Sequence, residues 1–371
     1  MLFGIMLTMD VLIIGALAFI PYITRRTQLF GVSVPPDQAD DPELARLKGR
    51  YRNIMLALGV VVIAATAAFA VGADPTDPLP VWVAVGLALG YAAAAFAVYL
   101  PFHRRVKAIK AAEGWTHASA PAVVTASTEP AAADMVSPAW LLAFPLLIGL
   151  GLLADWLVWP QVPDTVPTHF GADGVADAYS PKGFGVIAPL LLTQVFLAVV
   201  FVGVYFLIRH ARRQTDAANP VESLEKDRRF RRLNSIAMIL LGCAVLVVLE
   251  TMQLTTMTGS MGLLPTLAPA LVLLLLAAAT MWVMMFHVGQ GGSRLRSRRD
   301  DATDAVNYDD DRFWKLGLFY FNPDDPALFV ERRFGVGWTA NFARPLTWIV
   351  FGVFFALVIG LIVASAAMAG S

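Results

Sequence analysis

Eight long apolar stretches alternate with short polar gaps along the chain: Leu2–Ile23, Ile54–Gly72, Val81–Leu100, Ala139–Trp159, Gly185–Ile208, Ser235–Met257, Leu264–Phe286 and Leu346–Met368. A run of about 20 apolar residues is long enough to cross the hydrocarbon of a bilayer as a helix. No alternating period that would form a lipid-facing barrel is visible, and only a helix satisfies the backbone of a lipid-exposed run internally. The pattern therefore predicts an all-α polytopic membrane protein with eight transmembrane helices.

Charge then orients these spans. Of the 28 Lys and Arg residues, all but Lys182 fall in the gaps after the first, third, fifth and seventh spans. Cations collect in cytoplasmic loops, so those four gaps are expected inside, with the N- and C-termini outside. The first cations, Arg25 and Arg26, follow the first span, so it is expected to be retained and not cleaved as a leader. The zero formal net charge and 15% charged residues describe charge sorted across a membrane; they point to no nucleic-acid partner. Cys243 is the one cysteine, which leaves no intrachain disulfide to form.

By composition the chain divides into an N-terminal three-helix region (1–117), a cytoplasmic linker (118–138), a helix pair with an external loop (139–208), and two helices behind a basic loop (209–288). A charged linker (289–310), a hairpin segment (311–345) and the last helix (346–371) follow. In the hairpin segment, Phe313–Phe321 is aromatic and strand-like, Asn322–Pro326 has turn chemistry, and Ala327–Arg333 reads as extended again. Trp314, Tyr320, Asn322, Asp325, Arg333, Trp338 and Asn341 are its candidate interface residues. Packing of the hairpin's own small core is the first expectation for its aromatics, and docking of a cytoplasmic regulator the second.

The candidate outer site combines three intramembrane acids, Asp10, Asp155 and Glu250, with the loop residues His169, Asp173, Asp177 and Lys182. An acid at mid-bilayer costs roughly 2.5–3.5 kcal/mol on insertion scales, so each needs a partner, a proton or water. By the assigned orientation all three lie in the outer half, and the outer loops add further aspartates. The expectation is an acidic, outward-facing pocket that draws a cationic ligand, set against three separate interhelical hydrogen bonds. His169, Asp173 and Asp177 have metal-compatible chemistry, but no second His or Cys joins them, and no metal or cofactor is expected. No nucleophile is paired with an oriented base, so an enzyme is not expected.

The motif Pro163-x-x-x-Pro167-Thr168-His169-Phe170-Gly171-x-x-Gly174-x-x-Asp177, followed by Tyr179 and Lys182, resembles the membrane family called domain of unknown function 1648, which includes the SdpI-like toxin-immunity proteins. A second stretch, from Phe319 through Asn322-Pro323-Asp324-Asp325-Pro326 to Trp338 and Asn341-Phe342, is similar to the domain of unknown function 5808. Phe30-Gly31-Val32, Pro35 and the Asp41–Tyr51 stretch also look like the N-terminal part of such proteins. The resemblance implies a bacterial plasma-membrane protein that protects against an extracellular peptide toxin or signals to a cytoplasmic regulator. A proton-coupled or small-solute transporter and a structural scaffold are the alternatives. The orientation has a direct check: in intact cells an impermeant thiol reagent should modify Asp173→Cys and spare Lys226→Cys, and the reverse pattern would invert the topology.

Overall fold

In the computed structural model the described residues are 2–71, 79–115, 135–170, 176–213, 220–259, 286–295 and 310–369, with isolated positions between 272 and 282. Seven long helices are seen among them: α1 (Leu2–Ile23), α2 (Pro42–Ala70), α3 (Leu79–Ala112), α4 (Ala143–Val158), α5 (Phe184–His210), α6 (Pro220–Thr258) and α7 (Pro345–Ala369). Each, with short 3₁₀ turns flanking α4, is long and apolar enough to cross a membrane. The expected seventh span, Leu264–Phe286, lies mostly outside the described residues. Three helices extend well into gaps read from the sequence as loops. Asp41 caps α2 by accepting from the backbone N–H of Glu43 at 2.6 Å and Leu44 at 3.2 Å, with Pro42 in the first turn. Hence α2 starts twelve residues before Ile54, where the apolar run begins.

The all-α expectation needs amending. Among the described residues, four two-stranded antiparallel hairpins accompany the helices. They are β1–β2 (Gln28–Leu29, Val32–Ser33), β3–β4 (Thr165–Phe170, Ala176–Pro181), β5–β6 (Trp314–Lys315, Phe319–Tyr320) and β7–β8 (Phe329–Glu331, Trp338–Ala340). The single hairpin expected across 313–333 is thus two. Its first strand turns back on itself, because Leu316 and Gly317 both adopt positive φ, +55° and +70°. Two successive positive φ values make the tight turn that matches strand twist. Phe30 and Gly31 do the same at +46° and +75°. The two turns meet: a Cβ on Gly31 would lie 2.6 Å from the Cα of Gly317, so both positions need glycine.

The chain forms two compact units, each built from stretches distant in sequence. The first (Met1–Glu129, Ala211–Phe230, Met285–Arg344) packs α1, α2 and α3 around Ile14, Ala18, Met55 and Tyr91. At one end of these helices Phe30 is fully buried, stacked on Phe102 at 5.1 Å and set against Tyr51, Tyr99 and Phe334. The second unit (Pro130–His210, Arg231–Met284, Pro345–Ser371) joins α4, α5, most of α6 and α7. Gly242 of α6 admits the Phe144 ring of α4, which a Cβ there would meet at 2.7 Å.

Buried charge holds the first unit's hairpins to its helices. Arg25, just past α1, pairs with Glu331 of β7, which is wholly buried. Breaking a buried pair by removing one partner strands the other charge, at a cost of about 3–5 kcal/mol, whereas replacing both by apolar groups is often near neutral. Arg25→Met alone should therefore lower the unfolding temperature of the detergent-solubilised protein sharply. Arg25→Met combined with Glu331→Leu should recover most of the loss; a double variant no better than the single one would deny the pair its role.

Candidate functional site

The second unit places two carboxylates against two amides inside apolar helices. Asp155 of α4 is 2% exposed and accepts a hydrogen bond from the Nε2 amide of Gln253 on α6. Glu250 lies three residues before Gln253, so both project from one face of α6. Its Oε2 accepts from Nε2 of Gln194 on α5 at 3.2 Å. Opposite Glu250 on α4 is Gly151, where any Cβ would collide with the carboxylate. Gly151 and Asp155 are four residues apart, hence neighbours on the same helix face. A missing side chain at 151 is what lets Glu250 settle within a turn of Asp155.

No cation balances these acids among the described residues. Amides are neutral, and Asp155 Oδ1, Glu250 Oε1 and Gln253 Oε1 are buried with no hydrogen-bond partner there. Buried polar groups are nearly always paired, so orphaned acceptors in one cluster mark a place built for something more than packing. Asp10, the third intramembrane acid, belongs to the other unit, where its Oδ2 accepts from the Thr66 hydroxyl at 3.0 Å.

The expected rigid loop between α4 and α5 is the β3–β4 ribbon. His169 lies in β3 with its backbone opposite Ala178, and Asp177 lies in β4; Asp173 falls outside the described residues. Lys182 does not reach toward the acid cluster. Its ammonium donates to the carbonyls of Trp159 at 2.8 Å and Val162 at 2.9 Å and lies over the Trp159 ring. It thus ties the start of α5 to the chain leaving α4, a structural use of the one cation outside the basic gaps.

The hairpin segment spends its distinctive residues internally. Trp314, Tyr320, Asn322, Asp325, Arg333 and Asn341 are all buried. Asn341 is fully buried; its amide donates to the carbonyls of Asn322, Asp325 and Ala327, and its oxygen accepts from the Asn322 and Ala343 N–H groups. It therefore holds the Asn322–Pro326 turn closed. Tyr320 and Arg212 both donate to Asp325, at 2.9 and 2.6 Å, and Trp338 packs on Phe230 with ring centroids 5.5 Å apart. Arg333 pairs with Asp310 and Asp311 and lies over the Trp314 ring. Apolar side chains that do face outward here are Leu316, Phe319 and Phe321.

Residues 146–193 match the Domain of unknown function (DUF1648), and residues 323–348 match the Family of unknown function (DUF5808). The first accords with the SdpI-like resemblance. No curated protein and no solved structure matches the chain. The DUF1648 match takes in Gly151, Asp155 and the whole β3–β4 ribbon and stops one residue short of Gln194. The DUF5808 match covers β7, β8 and the turn that Asn341 closes, but leaves β5–β6 outside.

Gln194 and Gln253 were not singled out from the sequence, because amides carry no formal charge and stand out less than acids in an apolar run. The available signal was the spacing of Gln253 three residues after Glu250. Arg25 and Glu331 were missed for another reason: a cation just after a span reads as a topology anchor whether or not it is buried.

Asp311 provides a titratable handle on the first unit. Burial pushes its carboxyl up, but the Arg333 charge outweighs this together with Lys110, which donates to it at 2.7 Å, and holds it below the usual carboxylate range. A carboxyl depressed by folding contributes stability that is complete above the unfolded-chain value, about 3.9, and lost as pH falls through the lower folded value. Asp311→Asn should lower the unfolding temperature at pH 7 and flatten its fall below about pH 4. An acid limb as steep as that of the unaltered protein would remove Asp311 from the linkage.

Proposed function

We propose that this is a non-enzymatic multi-pass membrane protein that recognises a cationic extracellular peptide at the Asp155–Gln194–Glu250–Gln253 cluster, in a toxin-immunity or membrane-signalling role. One observation carries the reading: two acids, sequestered among apolar helices, are each faced by a neutral amide and by no cation among the described residues. Such a pair favours any positive group that can reach it, and Glu250 is only half-buried. The DUF1648 match supports the same direction, since it spans the α4 face of the cluster and the ribbon joining α4 to α5. Proton-coupled or small-solute transport is the second reading, favoured by the same acids within the spans.

The test is protection. Cells producing the protein are challenged with a panel of secreted cationic peptides, beside cells producing Glu250→Gln or Asp155→Asn. Losing one ionic contact of about 1.4 kcal/mol lowers affinity tenfold, so the tolerated peptide concentration should fall by about that factor. Equal tolerance in both variants, at equal membrane levels, would refute the reading. Protein-dependent proton flux in liposomes with no protection would favour transport.

A further inference from the structure

We infer that the acid–amide cluster is a site for a primary ammonium group, a lysine side chain or a free amino terminus. The inference rests on the cation-binding reading above and narrows its chemistry. Hydrogen bonds within the cluster use one oxygen of each acid: Oδ2 of Asp155 accepts from Gln253, and Oε2 of Glu250 accepts from Gln194. Three oxygens remain without a hydrogen-bond partner among the described residues: Asp155 Oδ1, Glu250 Oε1 and Gln253 Oε1.

The third of these carries the argument beyond an acidic pair. Gln253 is neutral and 1% exposed, and its amide nitrogen is committed to Asp155, which fixes its carbonyl oxygen beside that carboxylate. A bare buried acceptor costs about 1–3 kcal/mol, and that of Gln253 lies beside a carboxylate whose own second oxygen is also bare. All three oxygens are acceptors, so their complement is a group that only donates.

Donor count selects among cations. A primary ammonium has three N–H donors and no acceptor, one for each oxygen. A guanidinium spreads five donors in a rigid plane, more than the three free oxygens can match one for one. Quaternary ammonium has none. Calcium takes six to eight oxygens and magnesium a near-ideal octahedron, more than these residues supply. Gly151 leaves room for the Glu250 carboxylate about one helical turn from Asp155, so the two acids lie along the same stretch of α4.

The experiment uses the full-length protein in lipid nanodiscs, titrated with methylammonium, tetramethylammonium, guanidinium and sodium chlorides at matched ionic strength. Thermal unfolding followed by tryptophan fluorescence is the readout. Methylammonium should raise Tm by about 2–4 °C above the sodium control, the other cations should not, and the rise should vanish in Gln253→Met. Should that variant fail to fold, Gln253→Asn, which withdraws the carbonyl by one methylene, carries the same expectation. A shift from sodium or guanidinium equal to that from methylammonium overturns the ammonium assignment, as does a full shift in the Gln253 variant. If Glu250→Gln abolishes peptide protection while methylammonium has no effect, the ammonium class falls and the cation reading survives. If protection and titration are both unaffected by the acids, both fall.

Discussion

In a hydrocarbon layer no solvent is present to satisfy a polar group, and the whole arrangement follows from that constraint. Backbone groups are satisfied within helices, which fixes long apolar runs as the unit of construction. Cations, costly to carry across, are confined to alternate gaps with the exception of Lys182. Where an acid does enter a span, it is met by a polar side chain: Asp10 by Thr66, Asp155 by Gln253, Glu250 by Gln194. The exceptions to full pairing then become the informative places, and among the described residues of the helical second unit they gather around Asp155 and Glu250.

The first unit handles charge differently. Its hairpins hold ion pairs, a buried one between Arg25 and Glu331 and partly buried ones from Arg333 to Asp310 and Asp311, beside glycine turns that allow backbone to touch backbone. Tyr99 adds a hydroxyl close to both the Phe30 carbonyl, at 2.9 Å, and the Leu316 carbonyl, at 2.8 Å. Opposite charges in matched geometry make this junction specific, because either charge left alone in the interior is strongly unfavourable. Segments from the two ends of the chain, around residues 25–33 and 310–335, thus become parts of one body. The DUF5808 match covers only a portion of it.

Legibility in the sequence varied with the range of the cause. Helical spans were visible because hydrophobicity is a property of each run by itself, although α2, α3 and α6 outlast their apolar stretches and enter the basic gaps. Asp41 followed by Pro42 was a readable helix start. Turns at Phe30-Gly31 and Leu316-Gly317 were harder, since a bulky residue at positive φ is rare and gives no compositional cue. Of the seven residues proposed as an interface in the hairpin segment, Asn341 and Arg333 organise the interior.

By itself the sequence determined which stretches are apolar and long enough to cross a membrane and which acids lie within them, because insertion cost is paid residue by residue. Its charge asymmetry also set the orientation to be expected. Only tertiary structure decided which polar groups meet. Gln194 and Gln253 became partners of Glu250 and Asp155, Lys182 was spent on the carbonyls of Trp159 and Val162, and Arg25 found Glu331 three hundred and six residues away. Such pairings depend on how helices and hairpins rotate against each other to fill space, and no local pattern in the chain encodes that choice.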